Sequence, residues 1–155
     1  MITITEQNLQ EALTEAGFKA RIEEKSKQVA ASIMSEKREY PLFCRILADG
    51  ELIQLIVFVP VSVEEKGVND LSRFLHMANK ELDMPGFCVD EQSKTVFYRV
   101  VIPTLGKKLS KDVLTAYLRT MQNVVDTFGT IVVALAIGAM TMEQIMEMSQ
   151  KQKNA

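Results

Sequence analysis

The sequence is poor in the residues that carry chemistry: its 155 residues include one histidine, two cysteines and no tryptophan. A single histidine, His76, with no Cys, Asp or Glu at ligand spacing beside it, argues against a His-based metal centre. Cys44 and Cys88 lie far apart, each inside an apolar strand-like run. They do not form the closely spaced framework of a small secreted domain and read as buried reduced thiols of a reducing compartment, although spacing alone leaves a single Cys44–Cys88 bridge open. The seven glycines stand singly, so neither GxGxxG nor a Gly-rich turn ending in Lys-Ser/Thr occurs. Gly106-Lys107-Lys108 resembles the end of such a turn but lacks its first glycine and its hydroxyl residue, and reads as a solvated loop. No cofactor is indicated.

Excess charge is missing too. The 18 basic and 20 acidic residues nearly cancel, and no element carries a Lys/Arg stripe, which argues against nucleic acid as a partner. Residues 131–140 form the longest apolar run, well short of the ~20 residues that cross a bilayer. The first six residues show no basic region leading into an apolar stretch, so a secretory signal is not expected and the reading is cytoplasmic.

What is abundant is apolar surface, at 47% of residues, enough for one domain with a real core. Thr3 and Glu6 have capping-box spacing, and Leu9, Ala12, Leu13 and Ala16 recur on one face before Gly17, which predicts a helix over about 5–16. Alternation over 18–23 and the run 28–34 predict two strands. Pro41 opens a hairpin of 42–47 and 51–59 around Asp49-Gly50, the pair suited to a tight turn. Leu71, Phe74, Leu75, Ala78 and Leu82 mark a helix over 68–82, closed by Pro85-Gly86. A second hairpin joins 87–90 to 95–102. Ser110 is a plausible N-cap for a long helix, which we take through Gly129 to about 139, although a β-branched run beside a glycine also fits a buried strand. Thr141 and Gln144 have capping-box spacing for a short terminal helix, and 149–155 reads as a polar tail that frays. The fold class is therefore α+β, an antiparallel sheet with helices in the order α-β-β-β-β-α-β-β-α and a short extra C-terminal helix, in one domain over 1–148.

Two strands, 52–59 and 96–101, are apolar on both faces, a pattern expected where both sides are covered. With the methionine-rich segment 140–148 they exceed what one sheet face must bury. Ile56, Phe58, Phe97, Tyr98, Ile131, Val132, Met140, Met142 and Met146 are accordingly the candidate protein-binding residues, with the last helix, a second copy or another protein as the cover. The rival reading is a small enzyme assembled around His76, Asn79 and Asp90. The carboxylate pairs Glu23-Glu24 and Glu64-Glu65 fall in predicted turns and diverge, so neither suggests an acid/base pair.

Phe74-Leu75-His76-Met77-Ala78-Asn79, Pro85-Gly86-Phe87-Cys88-Val89-Asp90 and Val96-Phe97-Tyr98-Arg99-Val100-Val101-Ile102-Pro103 together resemble the core of YbjN-like proteins. The element order resembles both these and class I type III secretion chaperones. That resemblance implies a non-enzymatic, homodimeric or partner-bound module in which chaperone relatives hold an extended segment along apolar grooves. It carries over no catalytic residue. The chain is nearer neutral than such chaperones commonly are, and its methionine-rich extension lies outside the matching core.

Overall fold

Strict period-two alternation decides where each layer lies. The structure, a computed structural model, describes residues 1–154. Its elements run β1 (Ile2–Thr3), α1 (Glu6–Glu15), β2 (Arg21–Ile22), β3 (Val29–Ser35), β4 (Arg38–Leu47), β5 (Leu52–Phe58), α2 (Val68–Glu81), β6 (Phe87–Asp90), β7 (Thr95–Pro103), β8 (Lys108–Leu109), α3 (Lys111–Ala136) and α4 (Met142–Lys153). The α+β class and its order hold, with the small β1–β8 pair added. Six strands form one antiparallel sheet in the order β2-β3-β4-β5-β7-β6.

On β4, Tyr40, Leu42 and Cys44 are buried; on β5, Ile53, Leu55 and Val57; on β7, Val96, Tyr98, Val100 and Ile102. The register aligns Cys44 with Leu55 and Leu55 with Val100, so these side chains share one face. That face meets Leu9 and Leu13 of α1, Leu71, Phe74 and Leu75 of α2, and Leu114, Leu118 and Met121 of α3 in a single hydrophobic cluster. Phe87, Tyr98, Phe74 and Phe128 link sheet to helices through ring contacts with centroids 5.2–6.0 Å apart. Fully burying each such side chain contributes about 1.5–3 kcal/mol.

Several local expectations are corrected. The first helix is capped by Thr5, whose Oγ1 accepts from the Asn8 amide; Thr3 is paired with Lys108 in an extended conformation. Only Arg21–Ile22 of the expected 18–23 strand pairs. The α1 terminus holds the chain longer: Gly17 at φ 99 lets its own N–H reach Thr14 and that of Phe18 reach Leu13, closing a Schellman motif. β4 begins at Arg38 and runs through Pro41, which pairs with Ser32 of β3 and has no partner on its other side, because the β5 ladder starts only at Leu42 and Val57. The hairpin loop spans four residues, 48–51, with Ala48, Asp49 and Gly50 all at positive φ. Thr104 holds it, donating to the Gly50 carbonyl from its hydroxyl and to the Glu51 carbonyl from its N–H.

The long helix passes through Gly129, which lies against the Tyr40 ring where any Cβ would collide. It ends at Ala136 and not near 139, since Gly138 at φ 69 closes a second Schellman motif on Ala134 and Leu135. Ser110 occupies the N-cap without a side-chain bond. The Thr141/Gln144 capping box forms, and α4 continues to Lys153. Of the polar segment 149–155, Ala155 lies outside the described residues.

Candidate functional site

Helices α1, α2 and α3 pack on one side of the sheet, so no helix covers the residues that alternate outward between the buried ones; residues 19–28 rim one edge of that outer side. On that outer face Phe43, Ile56, Phe58 and Phe97 are half-buried. Phe43 packs edge-on against Phe58 with centroids 6.0 Å apart, and Phe58 lies 5.7 Å from Phe97. Their partial burial is therefore mutual, ring on ring. The register sets Phe43 opposite Ile56, Ile56 opposite Arg99, and Phe58 opposite Phe97. Val101, next outward on β7, is 44% exposed. The last helix does not cover this face. α4 packs on α2 instead, its first amide, Met142 N, donating to Asp70 Oδ2 at 3.1 Å.

Electrostatics give the face a sign. Arg45 and Arg99 are exposed on it, and the Arg99 guanidinium stands 5.6 Å from the Phe97 ring centroid, a cation–π distance. Toward β2, Arg21 lies 3.7 Å from Glu23, while among the described residues Arg45 and Arg99 have no carboxylate partner. A depression of about 480 Å3 opens beside Phe43, between Arg21, Lys19 and the outer side of β3.

The sequence-derived candidates divide three ways. Ile56, Phe58 and Phe97 stand together on the outer face. Ile131, on α3, and Met140, in the segment after it, are half-buried elsewhere, and Met146 is 41% exposed on α4, where it lines a groove of about 350 Å3 with Phe74, Met77 and Phe128. Tyr98, Val132 and Met142 sit in the core at 0–1% exposure and offer no surface. Tyr98 points inward by alternation, its hydroxyl donating to the Met84 carbonyl. Val132 lies on the buried stripe of α3, and Met142 is the anchor of α4. Phe43, Arg45 and Arg99 share the outer face with Ile56, Phe58 and Phe97, though the apolar pattern does not single them out. The signal for them was the same parity: once Cys44 is inward, Phe43 and Arg45 must point outward.

The rival constellation does not gather. His76 is exposed on α2. Asn79 Nδ2 donates to the Phe87 carbonyl, and its Oδ1 accepts from the Gly86 and Phe87 amides. Asp90 Oδ1 accepts from the Gln92 and Ser93 amides of the β6–β7 turn, and bonds from Ser93 and Gln92 hold its carboxyl below the usual range. Each of the latter two shapes a turn. Cys44 faces the core, where burial pushes its thiol up to about 12, whereas Cys88 is half-buried opposite Phe97 on the other face; both are free. The Gly106-Lys107-Lys108 loop is tied down: Lys107 Nζ lies 2.7 Å from Asp49 Oδ2, which raises the lysine's pKa and lowers the aspartate's. No cluster of three His, Cys, Asp or Glu able to hold a metal, and no helix long and apolar enough to cross a membrane, occurs among the described residues.

Comparison with known proteins gives one positive finding. The model of the YbjN family, described as "Putative bacterial sensory transduction regulator", matches residues 5–132. No curated protein matches the chain.

Proposed function

Because the chain belongs to the YbjN family, we propose that it is a non-enzymatic regulatory module that works by holding another protein on the outer face of its sheet. The observation that carries this reading is the row of Phe43, Ile56, Phe58 and Phe97, an apolar cluster that the chain's own helices leave bare. Apolar side chains gathered on the outside of a folded domain, half-buried only by one another, suit contact with a partner. The family description, a regulator of sensory transduction, fits a protein whose output is an encounter and whose residues gather no reacting centre. The likeness in element order to secretion chaperones supports an extended segment as one form of occupant, and a second copy of the chain is another. The free, inward thiol of Cys44 is consistent with a cytoplasmic setting.

The test is affinity capture from the native cytosol with the tagged wild type beside an Ile56→Ser/Phe58→Ser variant, with thermal melts to confirm that both are folded. Companions identified by mass spectrometry should be lost from the variant. Recovery of the protein alone, from a monomeric peak that binds no apolar dye, would sink the proposal.

A further inference from the structure

Resting on the outer sheet face as the docking surface, we infer that its occupant is an acidic segment studded with apolar side chains. Three features lead there. First, the centre of the face is apolar and aromatic, so it takes up apolar side chains. Second, among the side chains that flank this centre, the two charged ones within β4 and β7 are both arginines: Arg99, opposite Ile56, and Arg45, two residues along β4 from Phe43 and opposite the neutral Gln54. Third, the carboxylates on the same face are answered by other cations or by amides, which leaves the two arginines in surplus. Glu23 lines a depression with Phe43, Arg45 and Ile56 but lies 3.7 Å from Arg21, Glu39 shares the depression beside Phe43 with Lys19 and Arg21, and Asp90 accepts from the amides of its own turn. On a chain whose formal charge is −2, this face sets two arginines without carboxylate partners beside a cluster of aromatic rings.

Electrostatic complementarity of this kind selects partners and speeds encounter. Arginine suits the task, because its planar guanidinium can stack on an aromatic ring and still present donors to a carboxylate. Arg99 already takes the first of these positions over Phe97. An occupant with carboxylates on either side of its apolar residues places them against Arg45 and Arg99 while burying the rest on the phenylalanines.

The probe is a fluorescein-labelled peptide of alternating leucine and glutamate, about 12 residues long, enough at ~3.3 Å per residue to cross the sheet. A leucine–lysine peptide, a serine–glutamate peptide and polyuridine serve as comparisons. Binding to the full chain is read by fluorescence anisotropy for wild type, Phe58→Ser and Arg45→Glu/Arg99→Glu. The leucine–glutamate peptide should bind wild type best, weaken about tenfold or more on the double charge reversal, and weaken further as salt shortens the Debye length below ~10 Å. The leucine–lysine peptide should prefer the charge-reversed variant. If Phe58→Ser abolishes binding while the charge reversal leaves it unchanged, the docking face stands and the acidic occupant is overturned. Binding indifferent to both variants overturns the face as well. Equal binding of the serine–glutamate peptide, polyuridine binding lost in both variants, a wild-type dimer in sedimentation that Phe58→Ser dissolves, or no peptide binding at all each overturns the acidic segment.

Discussion

Asn79 ties the end of α2 to the start of β6 through three hydrogen bonds, at 3.0, 3.2 and 2.9 Å, all to backbone groups of residues 86 and 87. Asn79→Ala strips a half-buried turn of those partners, and should lower stability by about 1–3 kcal/mol in urea titration. Asn79→Asp keeps the acceptor but sets a carboxylate against the Phe87 carbonyl, so it should not restore the loss. Gly129→Ala reverses an ordinary rule. Alanine normally stabilises a helix interior by about 0.5–1 kcal/mol relative to glycine. Here the added methyl group runs into the Tyr40 ring, and a lower melting temperature is expected, with a loss of about 1–3 kcal/mol from overpacking. Cys44 supplies a pH signature. Its thiol rises from an ordinary 9.0 to about 12 on burial, so the folded chain keeps a proton that the unfolded chain releases above about 9. The unfolded state then binds fewer protons, and stability falls as pH climbs through that window. Denaturation midpoints of wild type should drop more steeply between pH 9.0 and about 12 than those of Cys44→Ala, and a thiol reagent at neutral pH should label Cys88 before Cys44.

At the scale of elements, α4 is fastened by the buried Met142 side chain and by the Asp70 carboxylate that receives the Met142 amide, while the Thr141/Gln144 capping box closes its N-terminus. A negative charge is favoured at a helix N-terminus. Asp70→Ala should raise amide exchange along Met142–Lys153 with little change in the sheet, a contrast that hydrogen-exchange mass spectrometry resolves. The elements also show what the sequence could reveal. Both hairpins, the 68–82 helix and the terminal capping box were legible, because apolar periodicity and turn residues agree there. The path through Gly129 was ambiguous locally, since its reason is a tyrosine 89 residues away on β4. The two-residue pair β1–β8 left no pattern at all, and Thr3 drew the cap away from Thr5 because spacing cannot distinguish a paired threonine from a capping one. The outer face was half legible. Doubly apolar strands announced Ile56, Phe58 and Phe97, but assigning Tyr98 to the same surface ignored the parity that sends it inward.

For the whole molecule, one hydrophobic cluster spans α1, α2, α3 and the inner sheet face. Unfolding should therefore be a single cooperative transition, with far-ultraviolet circular dichroism and tyrosine fluorescence reporting the same midpoint. Tyr40 and Tyr98 are buried in that cluster, so the fluorescence reads the core directly.

The alternation along β5 separates two duties that share seven residues. Ile53, Leu55 and Val57 answer to the core, while Leu52, Gln54, Ile56 and Phe58 alternate to the outer face. Substitution in the second set leaves the helix-facing core untouched and disturbs at most the outer rings that Phe58 shares with Phe43 and Phe97. One sheet can thus vary its outer surface through a few codons while the core that folds it stays as it is.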